Sequence, residues 1–192
     1  MEALRAVIAE DEPLTRTLIR ARLEKLGHTV VAEAGDGVQA IEAARLHHPD
    51  VIIMDIKMPL VDGIEAARTI LSETPCAILF LSAFNEAELI EDASATGALA
   101  YLMKPFRKED LAPALQMAVG RFRQIHDQQR EIDGLRETLE TRKLLERAKG
   151  ILMDRHGMSE EEAFKRIHFQ ARNQNKKMRE IAQSIITAAD LI

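Results

Sequence analysis

Along the first half of the chain, short apolar runs alternate with stretches whose apolar residues return every three or four positions. The runs at 5–9, 29–33, 51–54, 77–81 and 100–103 have strand length. Val51-Ile52-Ile53-Met54 is apolar at every position, the pattern of a strand buried on both faces of a parallel sheet. Between the first two runs, Pro13 opens a segment in which Leu14, Leu18, Ile19, Leu23 and Leu26 recur at helical spacing until Gly27 stops it. Proline suits the first helical position because its missing N–H is not needed there. Further helices are predicted over 36–46, 63–71 and 86–94, and from about Lys108 onward. Five such βα units predict an α/β fold: a doubly wound, five-stranded parallel sheet with helices on both faces.

Beyond Leu111 the pattern becomes charged, and the fifth helix is expected to run on as a long stalk. Ile125, Ile132 and Leu139 fall seven apart, with Phe122 and Leu135 beside them, but Gln128, Gln129, Arg136 and Arg142 hold the other seam positions. A dimer seam and a single helix leaning on its own protein both remain open. After Gly157, Ser159-Glu160-Glu161-Glu162 reads as a capping box, with Ser159 capping a helix and Glu162 reaching back. Ala163, Phe164, Ile167 and Ala171 line one face of that helix. Past Asn173-Gln174-Asn175, the residues Met178, Ile181, Ala182, Ile185 and Ile186 mark another. The expected division is an α/β domain over 1–121, a helical linker and possible coiled coil over 122–141, and a small three-helix all-α domain over 142–192.

Composition sharpens this picture at four points. The chain is 46% hydrophobic and 30% charged, enough for a medium domain and a smaller one and unlike a disordered chain. Cys76 is the single cysteine, which excludes an internal disulfide and fits a reducing compartment. The acidic N-terminus and the absence of a membrane-length apolar run give the expectation of a cytoplasmic protein without a signal peptide or membrane span. Charge is divided unevenly: residues 1–120 hold 11 Lys and Arg against 19 Asp and Glu, residues 121–192 hold 15 against 12. An acidic module is thus joined to a mildly basic one that could meet a polyanion.

A parallel sheet brings the carboxyl ends of its strands to one edge, and there Glu10 and Asp11 follow strand one, Asp55 strand three, Ser82 strand four and Lys104 strand five. Three carboxylates so close would raise one another's pKa unless a cation sat among them. Mg²⁺ suits oxygen ligands and phosphate chemistry, whereas no His or Cys lies at transition-metal spacing. If Asp55 is a nucleophile towards phosphorus, its product is an acyl phosphate. Mg²⁺ and Lys104 would neutralise the phosphoryl oxygens and the Ser82 hydroxyl would donate to one of them. Lys104 precedes Pro105, where a cis peptide is accessible and would aim the ammonium inward.

Taken together, Glu10-Asp11-Glu12-Pro13, the Asp55 strand with Met58-Pro59 and Asp62-Gly63, Ser82-Ala83 and Lys104-Pro105-Phe106 resemble the receiver domain of two-component response regulators over roughly the first 120 residues. The resemblance implies a flavodoxin-like fold and phosphorylation of Asp55 by a sensor histidine kinase. It also implies Mg²⁺ held by Asp11, Asp55 and the backbone carbonyl of Lys57 with Glu10 acting through water, and a switch in which Ser82 and Tyr101 move together. Glu10 stands where Asp is commoner in the family.

The stretch Arg142-Lys143-Leu144-Leu145-Glu146-Arg147-Ala148-Lys149-Gly150-Ile151-Leu152-Met153, with Gly157 to Phe164 and Arg172-Asn173-Gln174-Asn175-Lys176-Lys177-Met178, resembles the ANTAR domain of antitermination regulators over roughly residues 130–190. It implies binding of paired RNA stem-loops in nascent transcripts by a dimer released by phosphorylation. The residues themselves are compatible: Arg142 and Lys149 are seven apart on one helix face, and Arg172, Lys176 and Arg179 cluster around a turn containing Asn175. Phe164 and Phe169 follow helical core spacing, so recognition is expected to rest on loop shape, phosphates and polar groups rather than base stacking. The expected function is a non-enzymatic response regulator that controls transcription antitermination through RNA. A receiver coupled to a DNA-binding or protein-interaction helical output is the alternative. An aspartyl-phosphate hydrolase is disfavoured because the chain offers no lid or separate acid.

Overall fold

A computed structural model describes residues 3–83 and 100–190. The helix expected over 86–94 lies outside the described residues. The rest of the first unit, Met1–His126, is built on β1 (Arg5–Ala9), α1 (Pro13–Lys25), β2 (Thr29–Ala34), α2 (Gly37–His47), β3 (Val51–Asp55), α3 (Gly63–Glu73), β4 (Ala77–Ala83) and β5 (Ala100–Lys104), followed by the first part of α4 (Lys108–His156). All neighbouring strands pair in parallel, in the order β2-β1-β3-β4-β5. This is the doubly wound, flavodoxin-like sheet expected from the sequence.

Both faces of the sheet are covered. Val51 and Ile53 point into a core with Ile19 and Leu23 of α1 and Leu111, Leu115 and Ala118 of α4. Ile52 and Met54 point the other way, against Ala40 and Ala44 of α2 and Ile64, Ala67 and Ile70 of α3. The continuous apolar run therefore reflects period-two alternation between two cores. On α1 the buried stripe is narrower than the apolar pattern: Leu14, Leu18 and Leu26 are exposed. Burial of Cys76, with Asp50 adding to it, pushes the thiol up to about 12, which leaves it an inert core residue.

Two local features shape the edge where chemistry was expected. The strands run further than the sequence suggested, so that Asp55 ends β3, Ser82 lies inside β4 and Lys104 ends β5. Asp62 caps α3, its carboxylate accepting the Glu65 amide at 2.8 Å. Behind it, Gly63 crosses so close to β3 that a Cβ would lie 2.0 Å from the Asp55 carbonyl oxygen, a contact only glycine avoids.

The second unit, Asp127–Ile192, comprises the later part of α4, α5 (Glu160–Asn173) and α6 (Met178–Asp190). Its core joins Ala148 and Leu152 of α4, Ala163, Ile167 and Ala171 of α5, and Ile181, Ala182 and Ile186 of α6. The expected capping box is present: the Glu162 amide donates to Ser159 Oγ at 3.3 Å and the Ser159 amide to Glu162 Oε2 at 2.8 Å. One expectation fails here. Phe164 and Phe169 are 45% and 60% exposed, because the small residues Ala163 and Ala171 with Ile167 close the α5 face and leave the rings outside. Along α4, Ile125, Ile132, Leu135 and Leu139 are all exposed.

Candidate functional site

The strand order reverses between β1 and β3, which opens a crevice at their carboxyl ends. Into it come Glu10 and Asp11 from the β1 end and Asp55 from the β3 end, carboxylate oxygens of all three lying within 4.8 Å of one another. Glu10 and Asp55 are buried, while Asp11 is exposed. The Lys104 ammonium donates to Glu10 Oε2 and to Asp55 Oδ2, each at 2.7 Å. The Lys104–Pro105 peptide is cis. Burial pushes the Glu10 carboxyl above the usual carboxylate range, its bond to Lys104 pulling the other way and the nearby Asp55 charge pushing with burial. For Lys104, burial opposes the charged form, but the bonds to Asp55 and Glu10 outweigh it and hold the amine above the usual lysine range.

Among the described residues, one lysine ammonium faces three carboxylates, which leaves the group net negative and offers carboxylate oxygens as ligand atoms. That set fits a hard divalent ion such as Mg²⁺, with the exposed Asp11 on the side open to solvent. The loop after Asp55 turns back sharply: the Lys57 amide faces Asp55 Oδ1 at 3.4 Å, and Leu60 takes a left-handed φ of 65°, rare for a branched side chain. Ser82 is fully buried on β4, with its hydroxyl donating to the Ala83 carbonyl at 3.1 Å. Tyr101 lies on the edge strand β5 and is half exposed.

In the second unit the proposed nucleic-acid residues separate. Arg172, Asn175 and Lys176 line one cavity of about 490 Å³ at the α5–α6 turn, where Asn175 supplies the left-handed φ of 50° that the turn needs. Arg179 lies apart, 3.7 Å from Glu137. Arg142 is exposed on α4. Lys149, expected on the same face as Arg142, is buried, its ammonium held by Glu160 at 2.6 Å and Glu146 at 2.9 Å. It ties α4 to the first turn of α5 instead of facing solvent.

An acid-lined crevice at the β1/β3 switch point, with a lysine from β5 bridging the phospho-acceptor candidate, defines a receiver-type regulatory module. The model of the response regulator receiver domain matches residues 6–116 and that of the ANTAR domain residues 133–186. Transcriptional regulatory protein PdtaR of Mycobacterium tuberculosis is 48% identical over 182 residues, spanning 95% of this chain and 89% of that protein. Among solved structures, the receiver domain of the response regulator NarL from Mycobacterium tuberculosis is 33% identical with a TM-score of 0.58, over 62% of this chain and 98% of that one. The receiver domain of sensor histidine kinase PA1611 from Pseudomonas aeruginosa, described with a magnesium ion coordinated in its active-site cleft, is 33% identical with a TM-score of 0.56 over the same shares. The chain belongs to the response regulator family and carries an ANTAR output domain. No helix among the described residues is long and apolar enough to cross a membrane.

Proposed function

We propose that Asp55 is phosphorylated by a sensor histidine kinase and that the phosphorylated protein controls transcription antitermination by binding RNA stem-loops. The observation that carries the first half is the Lys104 ammonium, 2.7 Å from both Asp55 and Glu10, beside a third carboxylate. An Asp55 carboxylate oxygen attacks phosphorus; the P–N bond of a phosphohistidine donor breaks as the P–O bond of the acyl phosphate forms, and the departing imidazole recovers its neutral form. Lys104 and the Ser82 hydroxyl stabilise the phosphoryl oxygens, and Ser82 and Tyr101 carry the response to the β5 edge. Mg²⁺, when bound by Asp11, Asp55 and the Lys57 carbonyl with Glu10 behind them, supplies the remaining positive charge. The kinase docks on α1, where Leu18, one turn beyond exposed Leu14, lines a hollow with Arg22, Lys104, Pro105 and Phe106.

In the output unit the cavity holding Arg172, Asn175 and Lys176 is the proposed RNA surface, supported by the ANTAR match and by basic groups around a turn. Lys149 is assigned to structure instead. Exposed Ile132, Leu135 and Leu139 supply a short apolar stripe for a second copy, so that phosphorylation favours a homodimer. The test is direct. Acetyl phosphate with Mg²⁺ labels the full chain but not Asp55→Asn, and labelling raises both the sedimentation coefficient and stem-loop affinity. Unchanged labelling of Asp55→Asn refutes the acceptor. Equal affinity for duplex DNA across a salt series, or no RNA binding at all, refutes the output.

A further inference from the structure

Phe164 and Phe169, expected in the core, instead line a cavity of about 760 Å³ together with His168, Lys165, Arg166 and Arg172. It adjoins the 490 Å³ cavity at the α5–α6 turn, and His168 and Arg172 belong to both. The Phe164 and His168 rings are stacked, 19° from parallel with centroids 6.4 Å apart. The aromatic groups are therefore continuous with the basic ones, along one groove.

We propose that this groove is a base-stacking site: an unpaired nucleobase of an RNA loop lies against Phe164, His168 and Phe169 while its flanking phosphates meet Arg172 and Lys176. The inference rests on the RNA reading above and deepens it. Charge selects the occupant. Arg166, Arg172, Lys176 and Lys177 make no ion pair among the described residues, and the acid beside the rings, Glu162, is committed to the Ser159 amide and hydroxyl. Lys165 is the exception, paired with Glu161 at 2.6 Å. An apolar protein partner would have to desolvate these cations without compensation, whereas a nucleotide brings an aromatic face and an anion at nucleotide spacing. Exposed aromatics beside unpaired cations are the combination that single-stranded loops use and that a duplex cannot reach.

The test uses the full, phosphorylated chain and stem-loop RNAs selected by the wild type from a pool with randomised loops. Phe169→Ala and Phe164→Ala are expected to weaken binding by about 5- to 150-fold each while leaving the salt dependence unchanged, and Phe169→Trp to restore it. Arg172→Ala instead lowers the salt slope by roughly one. Replacing loop nucleotides one at a time by abasic residues locates one position whose loss costs the wild type its affinity but costs Phe169→Ala almost nothing more. Wild-type affinity in both Phe variants overturns stacking and leaves RNA binding standing. Failure of the wild type to select any RNA overturns both. A changed sedimentation coefficient in the Phe variants with unchanged RNA affinity reassigns the groove to a protein contact and also overturns the proposal.

Discussion

Replacing Lys104 by Met removes the one positive charge shared by Glu10 and Asp55 while keeping the length of the side chain. At an effective dielectric of about 20, each 2.7 Å contact has a gross attraction of roughly 6 kcal/mol. Desolvation of three charged groups cancels most of that. Stripping one partner from a fully buried pair costs about 3–5 kcal/mol, but the Lys104 side chain is 25% exposed and the crevice admits solvent. A net loss of about 1–3 kcal/mol at pH 8 without metal is therefore expected. Burial already holds the Glu10 carboxyl above its ordinary value against the pull of Lys104, so its charged form costs stability above the carboxylate range and the cost vanishes as protons bind. Without Lys104 the Glu10 pKa climbs further, and the deficit of the variant must shrink between pH 8 and pH 5. The wild-type contribution of Lys104, whose pKa is raised, stays complete below about 10.5 and fades only as pH rises through the folded value. Urea unfolding followed by the fluorescence of Tyr101, the single tyrosine in a chain without tryptophan, reports the receiver unit alone. Mg²⁺ should stabilise the variant more than the wild type, since it meets an uncompensated pair. Equal stability of the two proteins in EDTA at pH 8, or a deficit that does not narrow by pH 5, would refute this reading of the crevice.

Three further outcomes rest on particular backbones and tautomers. Gly63→Ala places a Cβ against the Asp55 carbonyl and is expected to cost about 1–3 kcal/mol or more and to slow labelling by acetyl phosphate; Gly120→Ala, on α4 with no atom within 4 Å, should instead stabilise by about 0.5–1 kcal/mol. A Gly63→Ala protein as stable as the wild type would mean that β3 and α3 do not approach so closely. His28 is buried, and its Nδ1 accepts the Leu4 amide at 3.2 Å, which puts the proton on Nε2, an atom with no hydrogen-bond partner. Burial, with a smaller effect from the N-terminal charge, lowers its pKa, so stability is complete above about 6.5 and is lost as pH falls below that value through the folded pKa. His28→Gln, which keeps an acceptor but does not titrate, should flatten the slope of the Tyr101 unfolding midpoint between pH 7 and 5.5; an undiminished slope would place the proton uptake elsewhere.

The strand-end cluster was legible because topology does the assembling. In a parallel sheet of order 2-1-3-4-5, the residues at the carboxyl ends of β1, β3 and β5 must share one edge, so Glu10, Asp11, Asp55 and Lys104 can be brought together from their positions alone. The helical output followed different physics. Helical spacing places residues on a face but does not say which face finds a partner, and the partner decides the role. Arg142 and Lys149 share a spacing, yet α5 returns its first turn to α4 and brings Glu160 to Lys149, turning one of two similar cations into a structural tie. Phe164 and Phe169 carry the apolar signal that Ala163 and Ala171 scarcely show, yet the close approach of α5 to its neighbours needs the small residues inside. The same holds on α1, where Ile19 and Leu23 are enclosed and Leu14 and Leu18 stay in water. In each case the sequence told how apolar a position is, while function depends on what is left uncovered. The surplus apolar residues at Leu14, Leu18, Phe164 and Phe169 are thus where contacts with other molecules are to be sought, because the cores formed by the described residues are filled without them.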